Sequence, residues 1–585
     1  MKGFFKTFLA VLLAMIALPL ILFFVLAGTL GSSLESKPVV VEEGSVLVMN
    51  LDENIADSPR MPTLSSSSLS SMEVVKTLSM LDVMNTLEAA AKDDRIKALY
   101  LNFTGTGAIE GTAQIEELRT HLAAFKAVSG KPIIAYNETY SQGTYWLSSV
   151  ADKVYMNPQG GLDWRGLASQ SLFFKRAIDK LGVDVQIVRH GTYKSAVEPY
   201  MLTEMSPANR HQTEAMVNAL WEAVVNDVAL SRNLSPAMLR AYAATLAVSS
   251  PAKAVELGFV DGLKYRDEVE EELKTIAGTT EMKEVTLGEY SSSVVSTKVS
   301  PNKVAIIYAD GEIVDGEGGE GIVGGATTAD QIRRAREDEG VKAVVLRVNS
   351  PGGSALASEV MWRELKLLGE EKPIVVSMAN YAASGGYYIS SPADHIIANR
   401  TTLTGSIGVF GVIVSAGDVL EDKLGVNVDV AKTAPHADMG TMFRRLTPAE
   451  MGFMQRSVED VYGTFLGHVA EGRDMTVEAV DAIGEGRVWC GVDAERIGLV
   501  DEFGGLKKAL LVAAEKAELG DDWRTVEILK EEDEITALIN SLLSAKAPRI
   551  MGEMGAASRG LETLYNTLKS GSSVQARMPY DITIY

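Results

Sequence analysis

The chain repeats itself. RIKALYLNF, a helical stretch around IEELRTHLAAF, and GKPIIAYNETYSQGTYWLSSVADKVYMNPQG are echoed by GVKAVVLRV, a helical stretch around ASEVMWREL, and EKPIVVSMANYAASGGYYISSPADHIIANRT. The echo continues from LGVDVQIVRHGTYKSA (181–196) to LGVNVDVAKTAPHADM (424–439), and from AVELGFVD (254–261) to AERIGLVD (494–501). A separation of about 240 residues held over four segments implies two homologous domains. Within each copy the order strand, helix, strand, helix, strand predicts a mostly parallel sheet covered by helices, so the expected class is tandem α/β.

A chain of 585 residues exceeds what one hydrophobic core supports. The repeats are expected over 45–285 and 302–510, divided by the serine-rich, proline-bearing YSSSVVSTKVSPNK. A C-terminal extension (511–585) follows, with a helical pattern, LKKALLVAAEKAEL, at its start. Near the front, PRMPTLSSSSLSSMEV (59–74) reads as a loop between a leading strand, SVLVMNL, and the first sizeable unit.

The N-terminus, residues 1–31, reads as a membrane anchor. After Lys2 and Lys6 come about 25 uncharged residues, TFLAVLLAMIALPLILFFVLAGTLG, enough helix to cross ~30 Å of hydrocarbon and longer than a removable signal core. With no further lysine until Lys37, the charge bias puts the short N-terminus in the cytoplasm and the rest outside a bacterial inner membrane.

A formal charge of −22 repels a nucleic-acid backbone. The single cysteine, Cys490, builds neither a disulfide nor a thiolate metal site. There is no HExxH, and Gly316, Gly318 and Gly321 spell GxGxxG inside an acidic glycine run better read as a mobile loop than as a dinucleotide fingerprint. No metal and no cofactor are expected.

Departures between the copies carry the chemistry. Aligning SVAD with SPAD sets Ser384 opposite Gln142, and aligning LGVDV with LGVNV sets Lys194 opposite Ala437. One copy has a candidate nucleophile without a lysine, and the other has the lysine without the nucleophile. Ser384 stands at a strand-to-helix turn among Ala383, Gly385 and Gly386, where the following N–H of Gly385 lies at a helix's positive end. Taken alone, such a serine is more often a helix cap. NSPGGSA (349–355) adds a turn whose Gly352 and Gly353 can bring backbone N–H groups to an oxyanion, though by itself it could be an ordinary turn.

A serine hydroxyl needs a base. None of the six histidines sits in a recognisable triad; His436, beside the position opposite Lys194, is the nearest rival. Most lysines are solvated and charged, and Lys194 can accept a proton only if desolvation or a positive field lowers its pKa from ~10.4. Glu198, four residues on, would oppose that if it approached the amine.

Through GTYKSAVEPY, NSPGGS, MANYAASGGYYISSPAD and TLTGSIGV, the chain resembles the bacterial signal peptide peptidase A family in its long, duplicated form, from the anchor to about residue 510. NSPGG alone is also similar to Clp-type proteases and to the crotonase-like fold. The resemblance implies tandem ClpP/crotonase-like domains and a Ser/Lys dyad of Ser384 and Lys194 from opposite copies. It further implies that Ser406 orients the lysine, that Gly385 with Gly352 or Gly353 forms the oxyanion hole, and that substrates are remnant signal peptides and other small hydrophobic peptides. Family members form membrane-tethered bowls, tetrameric for the duplicated form. The competing classes are a crotonase-like acyl-CoA enzyme, in which the anchor and the serine–lysine complementarity have no natural place, and a non-catalytic membrane scaffold.

Overall fold

The structure is a computed structural model that describes residues 40–50, 54–60, 63–68, 71–75, 77–104, 111–293, 298–530 and 575–577. The expected anchor lies outside the described residues, among which no helix is long and apolar enough to cross a membrane.

The apolar runs VLVM, ALYL, VAIIYA, AVVLRV and IVVSMA are buried with little alternation, as strands covered on both faces require. They build two sheets of the same design. In the first, parallel neighbours run in the order Gly262–Leu263, Lys153–Leu162, Ile133–Tyr140, Ile96–Asn102, Ser45–Asn50, Glu284–Thr286. In the second the parallel order is Glu502–Phe503, His395–Ala398, Ile374–Ala383, Val341–Ser350, Lys303–Asp310, Arg524–Glu527, with Leu403–Gly405 and Val488–Cys490 attached at the far end of the Ile374–Ala383 strand.

The copies repeat single bonds as well as strand order. The Ile133 N–H donates to Asp152 and the Ile374 N–H to Asp394; Val154 N–H donates to Asp261 and Ile396 N–H to Asp501. Tyr145 Oη–H meets the carbonyl of Phe259, as Tyr387 Oη–H meets that of Leu499.

A third, mixed sheet joins the halves. Its strands run Ile322–Gly324, Glu312–Val314, Gly352–Ser354, Gln575–Arg577, Phe410–Ser415, Asp184–Arg189. Asp184–Arg189 of the first half pairs antiparallel, over six residues, with Phe410–Ser415 of the second. This seam decides which side chains can meet.

Helix Thr112–Ser129 docks on the other half through two buried carboxylates. Glu116 accepts from Arg400 and from the Thr401 N–H and hydroxyl. Glu117 accepts from Arg347 at 2.8 Å and from the Leu506 N–H at 2.6 Å. Arg347, 1% exposed, also donates to Asp57 and Ser377. Burial pushes Asp57 up to about 6 against the pull of Arg347, whereas the guanidinium outweighs burial at Glu117 and holds it below the usual carboxylate range. Removing one partner of a buried charge cluster strands the others. Glu117→Ala is therefore expected to cost about 3–5 kcal/mol of unfolding free energy, read by denaturant titration.

Two segments differ from the sequence reading. The stretch 59–74, expected to be a loop, contains an antiparallel pair, Thr63–Ser68 with Ser71–Val75; adjacent segments can satisfy each other's main chain without a core. The second-half echo of the Asp184–Arg189 strand, residues 427–432, forms no strand and is exposed throughout. The glycine run read as a loop is the connection between the paired strands Glu312–Val314 and Ile322–Gly324, with the Ala326 N–H on the Gly316 carbonyl.

Candidate active site

Ser384 ends the strand Ile374–Ala383 and precedes the helix Gly385–Ser390. Its backbone sits at φ 56°, ψ −114°, a conformation that costs a non-glycine residue and is held by its surroundings. The Ser384 N–H donates to the Gly405 carbonyl at 2.8 Å. A Cβ on Gly386 would lie 2.6 Å from the Ser350 carbonyl oxygen, so the glycine lets the helix start press against the end of the strand carrying NSPGG. The serine read as a possible cap makes no side-chain cap bond, which leaves its hydroxyl free for another partner.

That partner is Lys194. It leaves the end of the seam strand Asp184–Arg189 and enters between two glycines of the other half. A Cβ on Gly486 would stand 2.6 Å from Lys194 Cβ, and one on Gly408 would stand 3.3 Å from Lys194 Cδ. Nζ arrives 2.8 Å from Ser384 Oγ, 3.0 Å from the Ser406 carbonyl oxygen and 3.1 Å from Ser406 Oγ. Ser384, Lys194 and Ser406 are each 0% exposed.

Nζ donates to Ser384 Oγ and to both Ser406 oxygens; once deprotonated, an amine held there keeps two N–H bonds for Ser406 and turns its lone pair to the Ser384 hydroxyl. Burial drives the Lys194 pKa far below its ordinary value. Glu198 does not oppose this: it is buried, accepts from Ser206 N–H and Oγ–H and from Asn209 Nδ2–H, and is satisfied there.

Ser406 also adopts a positive φ, 51°, with its N–H on the Arg487 carbonyl and its hydroxyl 3.4 Å from the Gly486 carbonyl. The Gly352 N–H donates to Ser350 Oγ at 3.2 Å, and Gly353 is paired with Ile313 on its other side. Along this turn runs the strand Gln575–Arg577, antiparallel in the register Gly352↔Arg577, Gly353↔Ala576, Ser354↔Gln575. The Gly352–Ser354 strand is thereby paired on both sides, with Glu312–Val314 and with Gln575–Arg577.

His436, the rival base, sits 57% exposed on Glu450 and takes no part. Gly408 and Gly486 were missed in the sequence. The first lies two residues beyond Ser406 in TLTGSIGV, but nothing in EGRVW marks Gly486 until the lysine is threaded beside it. At the matching place in the first half, Gln142 fills the site, with its amide bonded to the Gly166 carbonyl and its oxygen to the Arg165 and Gly166 N–H groups. Among the described residues no cluster could hold a metal ion.

A strained, buried serine at the end of a parallel strand, its hydroxyl set against a desolvated amine, defines a serine hydrolase site without histidine. The model of peptidase family S49 matches residues 126–280 and 366–520, once in each half, and the chain belongs to that family. It is 41% identical to Protease 4 of Salmonella typhi over 75% of this chain and 72% of the relative. It is 35% identical to Protease 4 of Haemophilus influenzae over 88% and 86%, and 30% identical to the chloroplastic serine protease SPPA of Arabidopsis thaliana over 92% and 78%. The protein is a serine peptidase, which sets aside the acyl-CoA and scaffold readings.

Proposed function

We propose that Ser384 is the nucleophile and Lys194 its general base, in an endopeptidase that degrades cleaved signal peptides and other small hydrophobic peptides. The observation that carries this reading is the 2.8 Å approach of Lys194 Nζ to Ser384 Oγ with both groups buried. Neutral Lys194 takes the hydroxyl proton as Oγ attacks the peptide carbonyl, and later gives it to the departing amine; water then hydrolyses the ester. Ser406 aims the amine. The N–H of Gly385, at the first helical position where no intrahelical acceptor exists, and that of Gly353 or Gly352 hold the oxyanion. An extended substrate pairs with Gly352–Ser354 in the place that Gln575–Arg577 takes, so main-chain bonds supply affinity.

In this reading the halves, 45–285 and 302–510, are ClpP/crotonase-like domains that each supply one member of the dyad. Residues 1–31 anchor the chain once in a bacterial inner membrane with the peptidase on the periplasmic side, and four copies assemble. The resemblance in GTYKSAVEPY, NSPGGS and TLTGSIGV supports these statements, as does the apolar N-terminal run.

Phosphonylation is the test. A fluorophosphonate should label Ser384, with a rate that rises as pH climbs through the lowered lysine pKa, because only the uncharged amine accepts the proton. Mass spectrometry should find no adduct at that residue in Lys194→Ala. Labelling that persists unchanged in the variant, or a rate that falls across this rise, would remove the lysine from the mechanism.

A further inference from the structure

The stem of Lys194 leans on the turn 484–487 of the other half, which makes more contacts there than the close approach of Gly486. The Glu485 carbonyl accepts the Tyr193 N–H at 2.9 Å, the Arg487 carbonyl accepts the Ser406 N–H at 2.7 Å, and the Gly486 N–H donates to the Ile407 carbonyl at 2.7 Å. A Cβ on Gly191 would fall 2.4 Å from the Glu485 carbonyl oxygen, and the Thr192 N–H reaches the Glu485 carboxylate at 3.3 Å. The turn therefore touches both the lysine segment and Ser406. Its Gly486 carbonyl accepts from Ser406 Oγ–H at 3.4 Å, while that hydroxyl oxygen accepts from Lys194 Nζ at 3.1 Å.

A turn of this shape has to be held, because Glu485 stands at φ 49°, where a residue with a Cβ is strained. Tyr462 meets it from behind. This side chain, 3% exposed on the helix Pro448–Gly472, accepts the Glu485 N–H on its hydroxyl oxygen at 3.1 Å and donates the hydroxyl to Asp481 Oδ1 at 2.5 Å. Gly484 permits the approach, since a Cβ there would lie 3.1 Å from Tyr462 Oη. On its face the tyrosine carries the ring of His190, stacked at 3.9 Å and 21°, whose Nδ1 meets Glu459 one turn back along the same helix. His190 lies four residues before Lys194.

We infer that Tyr462 is a positioning residue of the peptidase: its hydroxyl fixes the turn at Glu485 and Gly486, and the turn sets where Lys194 Nζ and Ser406 Oγ stand against Ser384. Tyr462 touches no reacting atom. The inference rests on the Ser384 and Lys194 roles proposed above. Removing the hydroxyl takes this partner from the Glu485 N–H and from Asp481, and the strained turn relaxes away from the lysine stem. Water then reaches an amine whose pKa burial alone lowers, so the amine titrates at higher pH.

Tyr462→Phe, which keeps the ring and its stack on His190, tests this in the full chain through peptide hydrolysis and fluorophosphonate labelling across pH. The expected result is a kcat lower by about 10- to 100-fold with KM changed by less than about twofold, and a pH rise of labelling displaced upward by about half a unit or more. Tyr145→Phe is the control: it removes another buried tyrosine hydroxyl, bonded to the Phe259 carbonyl, and should lower the melting temperature while rate and pH profile stay with the parent. Asp481→Leu takes away the same bond from its other end, should shift the pH rise in the same direction, and serves if Tyr462→Phe does not fold. A pH rise that stays in place in the folded variant, or one that Tyr145→Phe moves equally, overturns the inference. Labelling of Lys194→Ala at the parent's rate would instead overturn the dyad beneath it, so the two failures are read apart.

Discussion

Lys194→Met should lose peptide hydrolysis by on the order of 10³-fold or more while melting at a higher temperature than the parent protein near neutral pH. The loss follows from removing the amine that lies 2.8 Å from Ser384 Oγ, with His436 held away on Glu450. The gain follows from linkage. The unfolded lysine keeps its ordinary pKa near 10.4, whereas burial lowers the folded one, so between those two values the unfolded chain binds more protons. Stability therefore rises with pH across that window, and the lysine's burial weakens the fold most below it. A methionine of similar length carries no such burden. The advantage of the variant should shrink as pH approaches 10.4, which a series of thermal melts would show. Ser384→Ala should lose as much activity without the pH-dependent gain in stability, because its hydroxyl does not titrate in this range. If Lys194→Met retained activity, or melted lower at every pH, the amine would be neither base nor neutral.

Gly486→Ala should reduce kcat/KM by about 10²-fold, the scale on which an ångström of misplacement at a reacting group is felt. The new Cβ would fall 2.6 Å from Lys194 Cβ and 2.7 Å from its Cα, and both are main-chain or stem atoms that cannot turn aside as a side-chain tip can. The lysine must shift, and Nζ with it. Gly486 also has φ +77°, so an alanine there carries backbone strain of about 1 kcal/mol regardless of the lysine. Gly498→Ala separates the two effects: its φ is +81° and nothing lies within 4 Å of the added carbon. A larger loss of Tm in Gly486→Ala than in Gly498→Ala, with loss of rate only at Gly486, is the expected pattern. Equal rates would mean that the glycine serves the fold and not the amine.

The two members of the proposed dyad were legible because each copy acts as a control for the other. Ser384 against Gln142 and Lys194 against Ala437 are differences between sequences that otherwise agree, and the glycines around Ser384 announced a tight turn. The two sheets were legible for the same reason that their strands read as unbroken apolar runs: both faces are covered. The residue 59–74 hairpin was not, because its pairing rests on main-chain bonds that a serine-rich stretch does not advertise. Glu116 and Glu117 were also hidden. Inside a helical pattern they look like a solvated face, and only the arrival of Arg400 and Arg347 from the other half makes them buried anchors.

Sequence by itself determined the duplication, the α/β class and which side chains could do chemistry, since these depend on periodicity and on comparison of one half with the other. The tertiary structure decided everything that depends on distance. It turned Glu198 away from the amine, left His436 on the surface, and set Gly408 and Gly486 against the lysine stem. A pKa is a property of surroundings, and the surroundings of Lys194 are assembled from segments 190 and 212 residues away, brought together only when the seam strands pair.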